Sequence, residues 1–156
     1  MHIYLLVAGQ KMPAWVGEAC ADYLKRLPAE LKVKLVRVPL IKRGKNPDIR
    51  RIVRDESRSL IAAVPPGCQL IVLDVTGKRV TTEKLAIIVD GWMRHGQDVA
   101  LIIGGPDGLS DELLLKAHLR LSLSDLTFPH SLVRVMVVEQ LYRAWSILSN
   151  HPYHRA

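Results

Sequence analysis

What most restricts the fold of this 156-residue chain is a pair of short apolar runs, each leading into a turn of glycine or small polar residues. Leu101 to Gly108 reads LIIGGPDG, and Leu121 to His130 reads LSLSDLTFPH. Apolar runs this short, bounded by turn signals, suit strands buried in a parallel sheet better than helices. A long apolar helix follows, and then the tail His151-Pro152-Tyr153-His154-Arg155. Two backbone-rich turns can hold a small ligand, and a charged tail can lie over it.

The rest of the chain alternates in the same way. Residues 2–8 read as a strand ending at Gly9. Pro13 opens a helix over 14–27, with Trp15, Val16, Ala19, Tyr23, Leu24 and Leu27 near a 3.6-residue period. Residues 32–38 alternate with one slip at Leu35/Val36, which predicts a strand with a bulge. Asn46-Pro47 reads as a cap and first-turn proline, opening a helix with Ile49, Ile52, Val53, Leu60 and Ile61 on one face and arginines on the other. After the break at Pro65-Pro66-Gly67 come a buried strand over 69–74 and a helix capped by Thr81 or Thr82. A strand over 98–103, a short helix capped by Ser110, a strand over 119–123 and a helix over about 131–148 complete the pattern. Alternating strands and helices predict an α/β fold, a mostly parallel sheet flanked by helices, in a single domain spanning 1–156. The last helix is apolar nearly all round, so it lies deep in a core or packs on a second subunit.

In such sheets ligands bind beyond the carboxyl ends of the strands. Three strand ends should therefore converge: Leu73-Asp74 onward, Gly104 to Gly108, and Leu123 to Phe128. Gly104, Gly105 and Gly108 allow positive φ and close approach of backbone to a ligand. The spacing is not that of a dinucleotide fingerprint, and Pro106 removes one N–H from any phosphate nest, so an adenine or ribose is expected there before a triphosphate. The alternative for this turn taken alone is a tight bend with no ligand.

Charge is distributed unevenly. The formal net charge is +7, and residues 1–60 hold all of the excess. It concentrates at Lys42, Arg43 and Lys45 and on through Arg50, Arg51, Arg54 and Arg58, the footprint of a polyanion partner, with a merely solubilising helix face as the alternative. Cys20 and Cys68 lie far apart and outside any CxxC spacing, as small core residues of a cytosolic protein would. No run approaches the length of a membrane span and no secretory signal is present, so a cytoplasmic location is expected, with neither membrane nor DNA as partner. His151 and His154 have no Cys, Asp or Glu beside them, and no metal is expected.

Taken together, several segments resemble the SPOUT-class methyltransferases, and more narrowly the RlmH family, over essentially the whole chain. They are Gly9 to Pro13, Lys42 to Asn46, Leu101 to Ser110, Leu132 to Val135, Leu141 to Ser146 and Asn150 to Arg155. The resemblance implies an S-adenosylmethionine-dependent methyltransferase with an α/β knot, the cofactor bound bent in a C-terminal trefoil knot. Cofactor contacts would fall on Leu73, Gly104, Leu123, Ser124, Asp125, Leu126, Thr127 and Phe128. It further implies a homodimer whose target site is completed by the partner subunit. The implied substrate is the assembled ribosome, methylated at N3 of the pseudouridine at position 1915, in helix 69 of 23S rRNA.

Such a reaction requires alignment of N3 with the methyl group, removal of the N3 proton, and stabilisation of the imide anion. Arg143 and Arg155 are candidates for anion stabilisation, His130 and His154 for proton handling, and Tyr153 for stacking or hydrogen bonding to the base. Glu139 is a weaker candidate base, since it can pair with Arg134 or Arg143. Lys42, Arg43, Lys45, Arg50, Arg51 and Arg54 are the candidate RNA contacts. A non-catalytic ribosome-associated factor would use the same basic stripe, and a flavodoxin-like enzyme acting on small molecules is a third reading.

Overall fold

The computed structural model describes residues 1–9 and 11–155. Gln10, within the amino-terminal motif, and Ala156, at the end of the expected domain, lie outside the described residues. Five strands and five helices alternate: β1 (His2–Ala8), α1 (Ala14–Leu24), β2 (Lys32–Val38), α2 (Ile49–Ala62), β3 (Gln69–Arg79), α3 (Thr82–His95), β4 (Val99–Ile103), α4 (Asp111–Lys116), β5 (Leu119–Ser122) and α5 (His130–Leu148). A short 3-10 turn, Pro152–His154, closes the tail. The strands form one parallel sheet in the order β2-β1-β4-β3-β5.

All five residues of β4 are buried, as are Ile71 and Val72 of β3. Burial on both faces explains their unbroken apolar sequence. On one face Ile3, Leu5 and Val7 meet Val16 of α1, Val89 and Trp92 of α3, and Val137 and Leu141 of α5. On the other, Leu6, Ala8, Val72 and Ile102 meet Leu60 of α2 and Leu113 of α4. The result is a three-layer α/β/α arrangement, as expected, with the carboxyl ends of all strands at one edge.

Several local expectations are corrected. β2 carries no bulge: it pairs with β1 in unbroken register from His2↔Lys32 to Ala8↔Val38. As the edge strand it is largely exposed, so its side chains need not alternate strictly. α1 stops at Leu24, short of residue 27. The cap of α2 is Asp48, whose carboxylate accepts from Arg51 N, and Asn46-Pro47 precedes the helix; Ile49 is exposed. Thr81 and Ser110 cap α3 and α4 through hydroxyls that accept from Lys84 N and Leu113 N.

The largest correction concerns β3, which continues past residue 74 to Arg79. Its pairing with β5 slips: Leu73 pairs with Leu121, and so does Lys78. The intervening Asp74–Gly77 segment is pushed out of register, and Asp74 and Val75 line the cleft at the strand ends. Beyond Leu73 the strand is polar and largely exposed, so apolar continuity could not reveal it.

Candidate active site

The three predicted strand ends meet in one cleft of about 400 Å³. Leu73 to Val75, Gly104 to Gly108, and Leu123, Ser124, Leu126, Thr127 and Phe128 all line it, joined by His130 and Val133 at the start of α5. Asp125 does not line it; its carboxylate is paired with Arg79 on the neighbouring β3 extension. The Gly104–Gly108 segment is a tight turn in which Gly108 N donates to Gly105 O at 3.1 Å. Of its three glycines only Gly108 has positive φ, 82°. Gly104 and Gly105 are instead crowded by side chains: a Cβ on Gly104 would sit 2.7 Å from Leu109 Cγ, and one on Gly105 would sit 2.9 Å from Leu40 Cδ2.

Asp74 and Asp107 are the charged residues of the lining, which contains no lysine or arginine. Such a wall repels a polyphosphate and suits a neutral or cationic ligand. His130 is half-buried there. Burial holds its imidazole below the ordinary histidine range, and the nearby Arg134 cation lowers it further, against an opposing effect of the Gly105 backbone.

The remaining catalytic candidates gather elsewhere. Arg143 donates to Glu139 Oε1 from Nε at 2.8 Å, and its Nη2 lies 2.7 Å from the same oxygen. The Tyr153 hydroxyl donates to that oxygen at 2.9 Å and lies 3.4 Å from the Tyr23 hydroxyl. The Arg143 guanidinium lies 4.9 Å from the centre of the Tyr153 ring, and Tyr142 packs against that ring at 4.6 Å. Hydrogen bonding to Glu139 raises the pKa of Arg143, while burial, with Tyr23 and Glu139, raises that of Tyr153, so the phenol stays protonated and donates. The tail is held by its own backbone: His151 N donates to Ser146 O at 2.8 Å, and Tyr153 N donates to His151 Nδ1 at 3.2 Å. His154 Nδ1 is buried without a partner among the described residues, and Arg155 is exposed.

Between His130 and Arg143 helix α5 rises about 20 Å at ~1.5 Å per residue. One subunit therefore does not bring the tail cluster to the cleft beside His130. Glu139 instead borders a second cavity of about 410 Å³ between α3 and α5, which shares Leu73, Ser122 and Leu123 with the first.

Among the RNA candidates, Lys42, Lys45, Arg50, Arg51 and Arg54 are exposed. Arg51 and Arg54 lean on Asp55, at 3.7 and 3.2 Å. Arg43 points inward to Glu56 and Asp107. Sequence reasoning missed Tyr23, Glu56 and Asp107 as partners of site residues; Asp107 stands in the glycine-turn motif, but only the fold brings it to Arg43, as it brings Glu56 to Arg43 and Tyr23 to Tyr153. Arg134 did carry a signal, a lone cation in an apolar stretch. It is 4% exposed, its Nη2 lacks a partner among the described residues, and it lies so close to Gly9 that a Cβ there would be 2.5 Å away.

A parallel α/β sheet with a backbone-lined cleft at a meeting of strand ends defines a small-ligand-binding enzyme fold. The model of the family described as predicted SPOUT methyltransferase matches residues 1–154. The chain is 51% identical over 155 residues to a protein of Hydrogenovibrio crunogenus named ribosomal RNA large subunit methyltransferase H, covering 99% of each. Proteins of the same name from Thioalkalivibrio sulfidiphilus and Pseudomonas putida are 49% and 47% identical, again over 99% of this chain and 99% and 100% of theirs. Among solved structures, a probable methylase family protein from Haemophilus influenzae matches with a TM-score of 0.56 at 15% identity, over 95% of this chain and 66% of that one. A putative methylase family protein from Neisseria gonorrhoeae matches with a TM-score of 0.50 at 16% identity, over 90% and 81%. At those identities the two structures bear on the fold alone. The chain belongs to the SPOUT methyltransferase family, and it is a methyltransferase.

Proposed function

We propose that this chain, one SPOUT domain with a C-terminal trefoil knot, methylates large-subunit ribosomal RNA with S-adenosylmethionine as donor. The target is N3 of the pseudouridine at position 1915, in helix 69 of the assembled ribosome. The observation that carries the reading is the composition of the 400 Å³ cleft: glycine-turn backbone, two aspartates, and neither lysine nor arginine. Backbone amides and carbonyls there suit an adenine and ribose, and Asp74, which has no cationic partner among the described residues as Asp107 has in Arg43, suits a sulfonium cation. The donor, once bound, supplies an activated methyl group; the chain's own residues must do the rest. Leu73, Gly104, Leu123, Ser124, Leu126, Thr127 and Phe128, which line the cleft, hold and orient it, while the Asp125 carboxylate is taken by Arg79. His130, which lines the cleft and is kept neutral by burial, would accept the proton.

The tail residues Arg143, Tyr153, His154 and Arg155 would reach this cleft from a second copy of the chain. Trp15 on α1 and Leu132 and Leu148 on α5 support that pairing, being exposed apolar side chains on two helices that pack together. Across such an interface Arg143 and Arg155 supply positive potential to the imide anion, and Tyr153 stacks on or hydrogen-bonds to the base. Phosphates of the RNA meet the Lys42–Arg54 stripe, and the protein works where ribosomes are, in the cytoplasm.

Mass mapping of 23S rRNA from cells lacking the protein tests the reading. The target pseudouridine should lack one methyl group and gain it on incubation with the protein and S-adenosylmethionine. A chain ending at Pro152 should still bind the donor and show no turnover. Normal turnover by that truncation would remove the tail from the mechanism.

A further inference from the structure

Arg43 stands in the basic segment between exposed Lys42 and Lys45, yet its guanidinium is turned toward the protein. Nη1 donates to Glu56 Oε2 and to Ile41 O, both at 2.8 Å. Nη2 donates to Glu56 Oε1 at 3.0 Å and Asp107 Oδ2 at 2.9 Å, and Nε donates to Asp107 Oδ2 at 3.0 Å. These bonds use all five N–H groups that a guanidinium possesses. No donor remains for a phosphate. Glu56 is 3% exposed, and its Oε2 also accepts from Ile41 N at 2.8 Å, so the anchor beneath Arg43 is fixed.

The other end of the bridge is the glycine turn. Asp107 lies within Gly105–Gly108 and lines the cofactor cleft. Gly105 rests on the same assembly, since a Cβ there would lie 2.9 Å from Leu40 Cδ2 and 3.4 Å from Glu56 Oε1. A second tie runs from Ser110 N to Ser57 Oγ at 2.9 Å. Thus the loop bearing Lys42 and Lys45, the helix bearing Arg50, Arg51 and Arg54, and the wall of the cleft share one guanidinium.

We infer that Arg43 is a positioning residue that couples the RNA-facing segment to the cofactor turn. This rests on the proposal that the cleft takes S-adenosylmethionine and the stripe takes RNA. Fixing Lys42 and Lys45 on phosphates fixes the backbone that carries Arg43, and through Asp107 it fixes the turn against which the donor lies. By linkage the effect is reciprocal: bound donor favours the RNA-competent loop by the same factor. A lysine cannot replace the group, because an ammonium lacks the planar fork that grips two carboxylates together.

The test is calorimetric titration of S-adenosylmethionine into the full chain, alone and saturated with large ribosomal subunits joined in assembled ribosomes. Wild type, Arg43→Lys, Asp107→Asn and the double variant are compared. Subunits should tighten donor binding to wild type about fivefold or more. In each single variant the ratio should fall to about one, and the double variant should be no worse, because both substitutions cut one bridge. Subunit affinity of Asp107→Asn without donor should stay within about twofold of wild type, which a general loss of structure would not allow. If Arg43→Lys does not fold, Asp107→Asn carries the test alone, since it keeps the Arg43–Glu56 pair. Undiminished coupling in Asp107→Asn overturns the inference. So does wild type that binds donor and subunits without coupling, or Arg43→Lys that keeps the coupling and loses subunit affinity. A wild type that takes no donor at all instead overturns the proposed function.

Discussion

His130 and Arg134 occupy successive turns of one face of α5, and the Arg134 cation lowers the tendency of His130 to carry a proton. For His130 the main cause is burial, with Arg134 adding to it. Burial, again, lowers the pKa of Arg134. The pH consequence at His130 has a definite sign. Its folded-state pKa lies below that of the unfolded chain, roughly 6.5, so the unfolded state binds the proton first. Stability associated with the neutral ring is complete above that value and declines as pH falls through it toward the depressed folded value. His130→Gln removes this contribution. Urea midpoints for wild type and variant, measured from about pH 8 to pH 5, should therefore differ most at the alkaline end and converge on acidification. Parallel curves would show that the imidazole is not held neutral by the fold. His130 was legible in the sequence as a titratable group entering the last helix. Of the two cations the sequence offers Glu139 as partners, Arg134 and Arg143, the fold selects Arg143 and leaves Arg134 buried.

Among the elements, the slipped β3–β5 ladder does most to shape the cleft, and it depends on Gly77. A Cβ there would lie 2.6 to 2.8 Å from the backbone C, N and O of Leu121. Backbone cannot step aside as a side-chain tip can, so Gly77→Ala must displace β5 or the Asp74–Gly77 segment. A cost of about 1–3 kcal/mol is expected, read as a fall in Tm of roughly 3–10 °C for a chain of this size, with weakened donor binding as the wall shifts. Gly91 in α3 has open space around it. Gly91→Ala should therefore stabilise, by about 0.5–1 kcal/mol. Thermal melts of the two variants must move in opposite directions, and a common direction would contradict the packing argument. The contrast also marks how far sequence reading reaches. Buried strands such as Val99–Ile103 announce themselves by uninterrupted apolar residues, and capped helices by Thr81 and Ser110. The polar extension over 75–79 does not, since it is held by pairing with β5 alone. Likewise the crowding at Gly104 and Gly105 comes from the Leu109 and Leu40 side chains, and only the fold places them there.

At the scale of the whole molecule, charge and shape divide the labour. The excess positive charge lies in the first 60 residues, while the cleft is built from residues 73–133 and is lined by two aspartates and neither lysine nor arginine. A cationic donor and a polyanionic substrate thus meet surfaces of opposite sign on one small protein, linked through Arg43. The stripe can be weighed by salt. Arg50 is exposed and free of ion pairs among the described residues, whereas Arg51 and Arg54 share Asp55, which offsets part of their attraction for phosphate. Each phosphate contact contributes roughly 0.7–0.9 to the slope of log K against log salt concentration. Replacing Arg50, Arg51 and Arg54 by alanine should flatten that slope for ribosome binding by about 2. It should also raise Kd most at low salt and leave kcat at saturating substrate nearly unchanged. Co-sedimentation with assembled ribosomes at graded salt reads the slope, and turnover at saturating ribosomes reads the chemistry. If kcat fell while slope and affinity stayed at wild-type values, the stripe would belong to the catalytic surface, and RNA would have to be held by other cations.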